Sequence, residues 1–211
     1  MADIHKIFSL IFKIGGWRDR RLQLFLKTFR QIDNANLLDI GGYPFNWIDN
    51  NHHFKKIVSL NLTKEDNMGI PNLKTVQGDA RKLDFENKEF DIVFSNSVIE
   101  HVGSFKDQKQ FAKEALRVGK KIWIQTPAKG FFFEPHFLSP FFHWLPIPLR
   151  KFFVYLTPWY LINRPDKKTI DDIIHEIRLL SKRELNILFP NCSIIVERFL
   201  FFPKSYIVVK N

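Results

Sequence analysis

The chain has a single cysteine, Cys192, in 211 residues. An internal disulfide is therefore excluded, and this usage fits a reducing compartment, which points to the cytoplasm. Cys192 follows Pro190–Asn191 beside a predicted strand, where a plain structural thiol is expected. Any run of 18 apolar residues is missing too, so no membrane-spanning helix is expected. The opening stretch, MADIHKIFSLIFKIGG, has charges within its apolar run and no small-residue cleavage site, unlike a signal peptide. The sequence has no P-loop, no Ser-His-Asp signature, no RNA-binding aromatic motif, no internal repeat and no low-complexity tract. His52 and His53 are neighbours without a cysteine or acid at ligand spacing, and in an extended segment they would point apart. No metal is expected.

What the chain does have suits one globular domain over 1–211: 45% hydrophobic residues for a core and an ordinary 26% charged. Four parts follow from composition: an N-terminal helical cap (1–32), a core (33–127), an irregular insertion (128–168), and C-terminal helices and strands (169–211). The formal net charge of +10 favours an anionic partner, whether nucleic acid, an acidic membrane surface or a phosphate-bearing substrate.

Residues 1–32 read as two helical pieces split at Gly15–Gly16. Ile4, Ile7, Phe8 and Ile11 share one face, and Leu22, Phe25, Leu26 and Phe29 repeat the spacing. Arg20, Arg21, Lys27 and Arg30 accompany the second stripe. These helices either pack over the core or lie on a membrane surface. Strands are then predicted at Asn36–Ile40, Lys56–Leu62, Leu73–Gln77, Phe90–Asn96 and Lys121–Gln125. They are apolar without clean alternation, as in strands covered on both faces. Ser104 caps a helix bearing Phe105, Phe111, Ala112, Ala115 and Leu116, which Gly119 ends at C′. Strands separated by helices imply a parallel sheet.

Residues 128–168 break the pattern. Twelve of the thirty residues from Phe131 to Tyr160 are aromatic, and Pro135, Pro140, Pro146, Pro148 and Pro158 forbid a long helix. Trp144, Trp159, Tyr155 and Tyr160 are residue types that favour a membrane interface. Thr169 is expected to open a helix with Ile170, Ile173, Ile174 and Ile177 on one face. Ser181 and Glu184 form a capping box for another. Ser193–Phe201 and Ser205–Lys210 read as two strands around Pro203.

Three strand ends carry candidate ligand-binding residues. The first strand runs into Asp39, and Gly41–Gly42 then allows the backbone to turn sharply against a ligand, with Tyr43 and Pro44 next. The second ends at Asn61–Leu62; an asparagine amide both accepts and donates. The third feature is Gly78–Val102, GDARKLDFENKEFDIVFSNSVIEHV, where one strand ends in Asp79 and another runs into Ser95–Asn96 and His101. In the insertion, Glu134-Pro-His136 offers a carboxylate beside an imidazole.

The Gly78–Val102 stretch resembles the class I S-adenosylmethionine (SAM)-dependent methyltransferases, in the type 11 branch written GDA…LPF…FDxVxSxxVxEHV. Asp39-Ile-Gly-Gly-Tyr-Pro-Phe-Asn-Trp47 is similar to an Asp-x-Gly-Gly-x-Pro-x-x-Trp variant in the same superfamily, in place of the commoner Gly-x-Gly-x-Gly. The resemblance spans roughly Leu37–Lys210. It implies a Rossmann-like seven-stranded, mostly parallel sheet with helices on both faces, the last strand antiparallel, and the insertion after strand 5 covering the acceptor. It implies SAM as cofactor, with S-adenosylhomocysteine as product. Asp39, Gly41, Gly42 and Tyr43 would form the cofactor turn. Asn61 and Leu62 would meet the ribose, where the superfamily usually has an acid. Asp79, Ala80 and Arg81 would meet the adenine, and Ser95 and Asn96 the methionine portion. His136 would serve as base, with Glu134 orienting it and His101 near the reacting face; His143 and His101 are reserves. Structural roles stay open for each: Asp79 as a turn residue, Ser95 and Asn96 as strand terminators, Glu134 and His136 as anchors of the insertion. The fourth strand ends Ser95-Asn96-Ser97-Val98, unlike the (Asp/Asn)-Pro-Pro-(Tyr/Phe) motif of nucleic-acid amino-methylating relatives. The expectation is an enzyme methylating a small-molecule acceptor, a sugar or a lipid-linked intermediate, at oxygen. The alternative is a degenerate cofactor fold acting as a scaffold or a peripheral membrane module.

Overall fold

The computed structural model describes residues 17–29, 32 and 34–211. The predicted helix bearing Ile4, Ile7, Phe8 and Ile11, the Gly15–Gly16 break and Arg30 lie outside the described residues. The chain forms two compact units. One comprises Gln31–Phe131 and Glu176–Asn211. The other comprises Phe132–His175 together with helix α1 (Trp17–Thr28).

The first unit is built on a seven-stranded sheet. Its strands are β1 (Ala35–Ile40), β2 (Phe54–Asn61), β3 (Leu73–Gln77), β4 (Phe90–Asn96), β5 (Gly119–Pro127), β8 (Ser193–Phe199) and β9 (Phe202–Lys210). The order is β3-β2-β1-β4-β5-β9-β8. β1 to β5 pair in parallel, and β9, the last strand in the chain, is antiparallel to both neighbours. The central strands are buried at nearly every position, which explains why their sequences do not alternate. A single apolar core includes Leu38, Val93 and Ile122 from the sheet, Phe111 and Ala115 from helix α2 (Phe105–Val118), and Leu185 from helix α6 (Lys182–Leu188).

The predicted capping box at Ser181–Glu184 forms, and the predicted Ser104 cap proves to be a capping box too, with Asp107. Three local expectations are corrected. Gly119 does not end α2 in the left-handed region: its φ is −98° and it already begins β5. A Cβ there would meet Val93 Cγ2 at 2.6 Å, so the glycine serves close packing of β5 on β4. Helix α5 (Lys167–Glu176) begins before Thr169, because the Asp166 side chain accepts from Thr169 N–H and ties down the first turn. Finally, Pro203 does not separate the last two strands. The turn is at 200–201, and Pro203 lies within β9, opposite Arg198 at a register shift.

Between Phe133 and Asn163 the second unit has no long element, as the prolines there require. It contains a two-stranded hairpin, β6 (Phe133–Glu134) with β7 (Ser139–Pro140), then α3 (Ile147–Phe153), α4 (Pro158–Asn163) and α5. Pro148 and Pro158 sit in first turns, where a missing N–H costs nothing. Its interior holds Phe137 between Phe142 and Trp159, at ring separations of 4.2 and 5.4 Å. In α1 the expected stripe is real: Phe25 and Phe29 are buried edge to face, and Leu22 and Leu26 are partly buried.

Candidate functional site

The sheet reverses its winding between β1 and β4, the position where open parallel sheets bind ligands. Register brings the strand ends level: Ile40 pairs with Leu60 and Ser95, and Asn61 with Gln77. The predicted ligand residues of the sheet unit therefore share one carboxyl edge.

The turn after β1 is the tightest part of that edge. Gly41 has φ +71°, a conformation rare for side-chain-bearing residues, and its N–H donates to Leu60 O at 2.7 Å. Gly42 leaves no room for a side chain, since a Cβ would lie 1.6 Å from Asp39 Oδ2. Asp39 is fully buried and accepts from Trp47 Nε1 at 2.7 Å. Trp47 is itself packed edge-on against Phe54 and Phe94. The Asp39-to-Trp47 spacing thus has a mechanical meaning: the indole fixes the carboxylate, and the carboxylate supports the glycine turn. Tyr43 stands half-exposed beyond the turn, stacked on Phe45, and Leu62 is exposed.

Asn61 has a role that its sequence position did not reveal. Its Nδ2 donates to Gly42 O at 2.8 Å, and Ser59 Oγ donates to the same carbonyl at 2.7 Å. An acid at 61 would turn an acceptor toward that carbonyl. The amide holds the turn with its donor and keeps its oxygen as acceptor. Asn61→Asp is expected to cost about 1–3 kcal/mol through the lost bond and an acceptor facing an acceptor. Chemical denaturation measures this, and unchanged stability would show that the tether contributes nothing.

Asp79 and Arg81 form a local ion pair. Both Asp79 oxygens accept from the Arg81 guanidinium, at 2.7–3.0 Å, and Oδ1 also accepts from Arg81 N–H. The Arg81 side-chain hydrogen bond holds the Asp79 carboxyl below its ordinary range. Ala80 between them is buried. Ser95 is fully buried, with Oγ donating to Ile40 O at 3.0 Å, so it pins β4 to the end of β1. Asn96 is partly exposed at the same edge. Ser97, at φ +58°, then turns the chain sharply and donates through Oγ to Gln125.

His101 ends a short 3-10 turn, Ile99–His101, with Nδ1 3.2 Å from Glu176 Oε1. The turn is braced from behind. Gln108 donates to Ile99 O, Arg178 N–H donates to Glu100 O, and the buried Glu100 accepts from Thr126 Oγ1. Ser59, Glu100 and Arg178 were not among the expected site residues. Only Glu100 had a sequence signal, inside the motif, because partners 17 to 78 residues away cannot be read locally.

The second unit brings Glu134 and His136 together. Glu134 is 1% exposed, and its Oε1 lies 2.6 Å from His136 Nδ1 while also accepting from His136 N–H. Oε2 is 3.5 Å from His143 Nδ1. Burial works to raise the Glu134 carboxyl, but the hydrogen bonds and charge of His136 outweigh it and hold the group below its ordinary value. An ionised carboxylate only accepts, so Nδ1 of His136 is the donor in this contact. Arg150 is turned inward onto the carbonyls of His143 and Leu145.

Residues 35–121 match the family model described as a methyltransferase domain. No curated protein matches the chain. Among solved structures, the fold is similar to a SAM-dependent methyltransferase from Aquifex aeolicus, with TM-score 0.54, 12% identity and 89% and 87% of the two chains covered. It is also similar to magnesium protoporphyrin IX methyltransferase from Synechocystis PCC 6803 with bound SAH (TM-score 0.59, 9% identity, 93% and 84% covered). A third is a putative methyltransferase solved with the Haloferax volcanii Trm112 activator (TM-score 0.56, 11% identity, 99% and 97% covered). The fold is that of the SAM-dependent methyltransferase structures, and the match to the methyltransferase-domain model covers 35–121 of it.

Proposed function

We propose that this methyltransferase uses SAM and methylates a hydroxyl of a small-molecule acceptor, a sugar or a lipid-linked intermediate. The observation that carries the cofactor reading is the tight Gly41–Gly42 turn at the switch point, packed against the buried Asp39 so that no side chain fits at Gly42. Bound SAM supplies an already activated methyl group, so the protein's task is to position reactants.

In this reading the backbone of Gly41, Gly42 and Tyr43 approaches the methionine portion, supported by Asp39. Asn61 offers its carbonyl oxygen to the ribose, with Leu62 beside it. Asp79 and Arg81 present polar groups to the adenine, and Ala80 lines the ring. Asn96 faces the methionine portion, while Ser95 positions the β1 end from below. Glu134 fixes the tautomer of His136, whose Nε2 takes the acceptor's hydroxyl proton. His101 is a second proton-handling group, oriented by Glu176.

Isothermal calorimetry with SAM and S-adenosylhomocysteine tests the cofactor reading. Binding is expected for both, and Asp79→Ala is expected to weaken it about tenfold or more, the worth of a charged hydrogen bond. Absence of heat and of any thermal shift with either ligand would instead support a scaffold on a degenerate methyltransferase fold.

A further inference from the structure

Between residues 141 and 162 the second unit buries Phe142, Val154 and Trp159 and leaves most of its other large apolar side chains exposed. Helix α3 has no buried residue. Trp144, Ile147, Leu149, Phe152, Tyr155 and Leu156 are all exposed, Phe152 to 69% and Leu156 to 71%. Soluble surfaces rarely leave so many large apolar side chains clustered in one short segment. Pro140, Phe141, Phe153 and Leu156 also border a shallow apolar hollow of about 310 Å³.

The charges beside these residues are mostly positive, with Lys151 paired to Asp171 of α5 at 2.8 Å. From residue 137 to 168 there are five cations, Arg150, Lys151, Arg164, Lys167 and Lys168, and one acid, Asp166. Asp166 is engaged in capping α5, and Arg150 is turned inward. Arg164, Lys167 and Lys168 are exposed. A second copy of this chain would bring like charges together, which disfavours self-association. Apolar and aromatic side chains bordered by long cations match instead the boundary between acyl chains and anionic headgroups. No helix among the described residues is long and apolar enough to cross a membrane, so contact would be in the plane of the surface.

We propose that α3, α4 and the turn between them dock on an anionic lipid membrane. Trp144, Phe152 and Leu156 enter the headgroup layer, and Arg164, Lys167 and Lys168 meet lipid phosphates. The proposal does not depend on methyl transfer, and its test is separate from cofactor binding.

The full chain is centrifuged with vesicles of equimolar phosphatidylglycerol and phosphatidylcholine, and with phosphatidylcholine alone. Pelleting is expected with the anionic vesicles, weakening as salt is raised. Phe152→Glu combined with Leu156→Glu is expected to reduce partitioning about tenfold or more while far-UV circular dichroism is unchanged. Lys167→Glu with Lys168→Glu should reduce binding and its salt dependence. If the double glutamate variant fails to fold, brominated-lipid quenching decides: a quenched signal in the wild type, diminished in Trp144→Phe, supports docking. No pelleting with anionic vesicles, or equal pelleting of a folded Phe152→Glu/Leu156→Glu variant, would overturn it. So would a variant that dissolves a dimer of this chain while vesicle binding persists.

Discussion

Gly42→Ala is expected to abolish SAM binding and to cost about 3 kcal/mol or more of stability, at the upper end of overpacking effects. A Cβ at Gly42 falls 1.6 Å from Asp39 Oδ2, far inside contact distance. Relief requires Asp39 to rotate, and rotation breaks its bond from Trp47. Alternatively the Gly42 carbonyl swings away and loses Ser59 and Asn61. Either route rebuilds the turn that faces the ligand. By contrast, a Cβ at Gly78 comes no nearer than 3.1 Å to a Leu60 methyl, so Gly78→Ala is expected to be mild. Denaturation and calorimetry check both. A double-mutant cycle is sharper: in an Asp39→Ala background the cost of Gly42→Ala should shrink by more than about 1 kcal/mol. Additive costs would show that the clash is relieved elsewhere.

Glu134→Ala is expected to destabilise the protein by about 3–5 kcal/mol, the usual result of removing one member of a buried charged cluster. The carboxylate holds His136 through two bonds and stands 3.5 Å from His143. The pH dependence follows from its lowered carboxyl. A group with a folded value below the unfolded one stabilises above the unfolded value, here ordinarily 4.5, and loses that contribution as pH falls through the folded value. Acid unfolding of the wild type should therefore be steeper below about pH 4.5 than that of Glu134→Gln, which cannot titrate. Superimposable acid-unfolding curves would deny Glu134 this role. The catalytic part separates by activity. His136→Ala is expected to lower kcat about 10²-fold or more with KM for SAM unchanged. A wild-type kcat would leave the pair as an anchor of the insertion.

The order of elements was legible because it rests on local chemistry. Leu73–Gln77 and Phe90–Asn96 are strands to the residue, and Ser104 and Ser181 cap the helices they precede, since a cap needs only partners three positions away. The seven-stranded sheet with its antiparallel last strand came from resemblance over roughly Leu37–Lys210 and stands in the fold. Where local signals misled, a distant contact decided. Gly119 does end its helix, but in extended backbone, and it is also a packing contact with Val93. Asn61 looks like a weakened ribose ligand and is also a clamp on Gly42, a residue 19 positions earlier. The sequence by itself determined the strands, the caps and the two-glycine turn, because propensity and capping act within a few residues. Tertiary structure alone decided what holds that turn, Trp47 through Asp39 and Asn61 with Ser59 on one carbonyl. It also decided which aromatics of the insertion face inward, because burial depends on what a folded chain brings alongside.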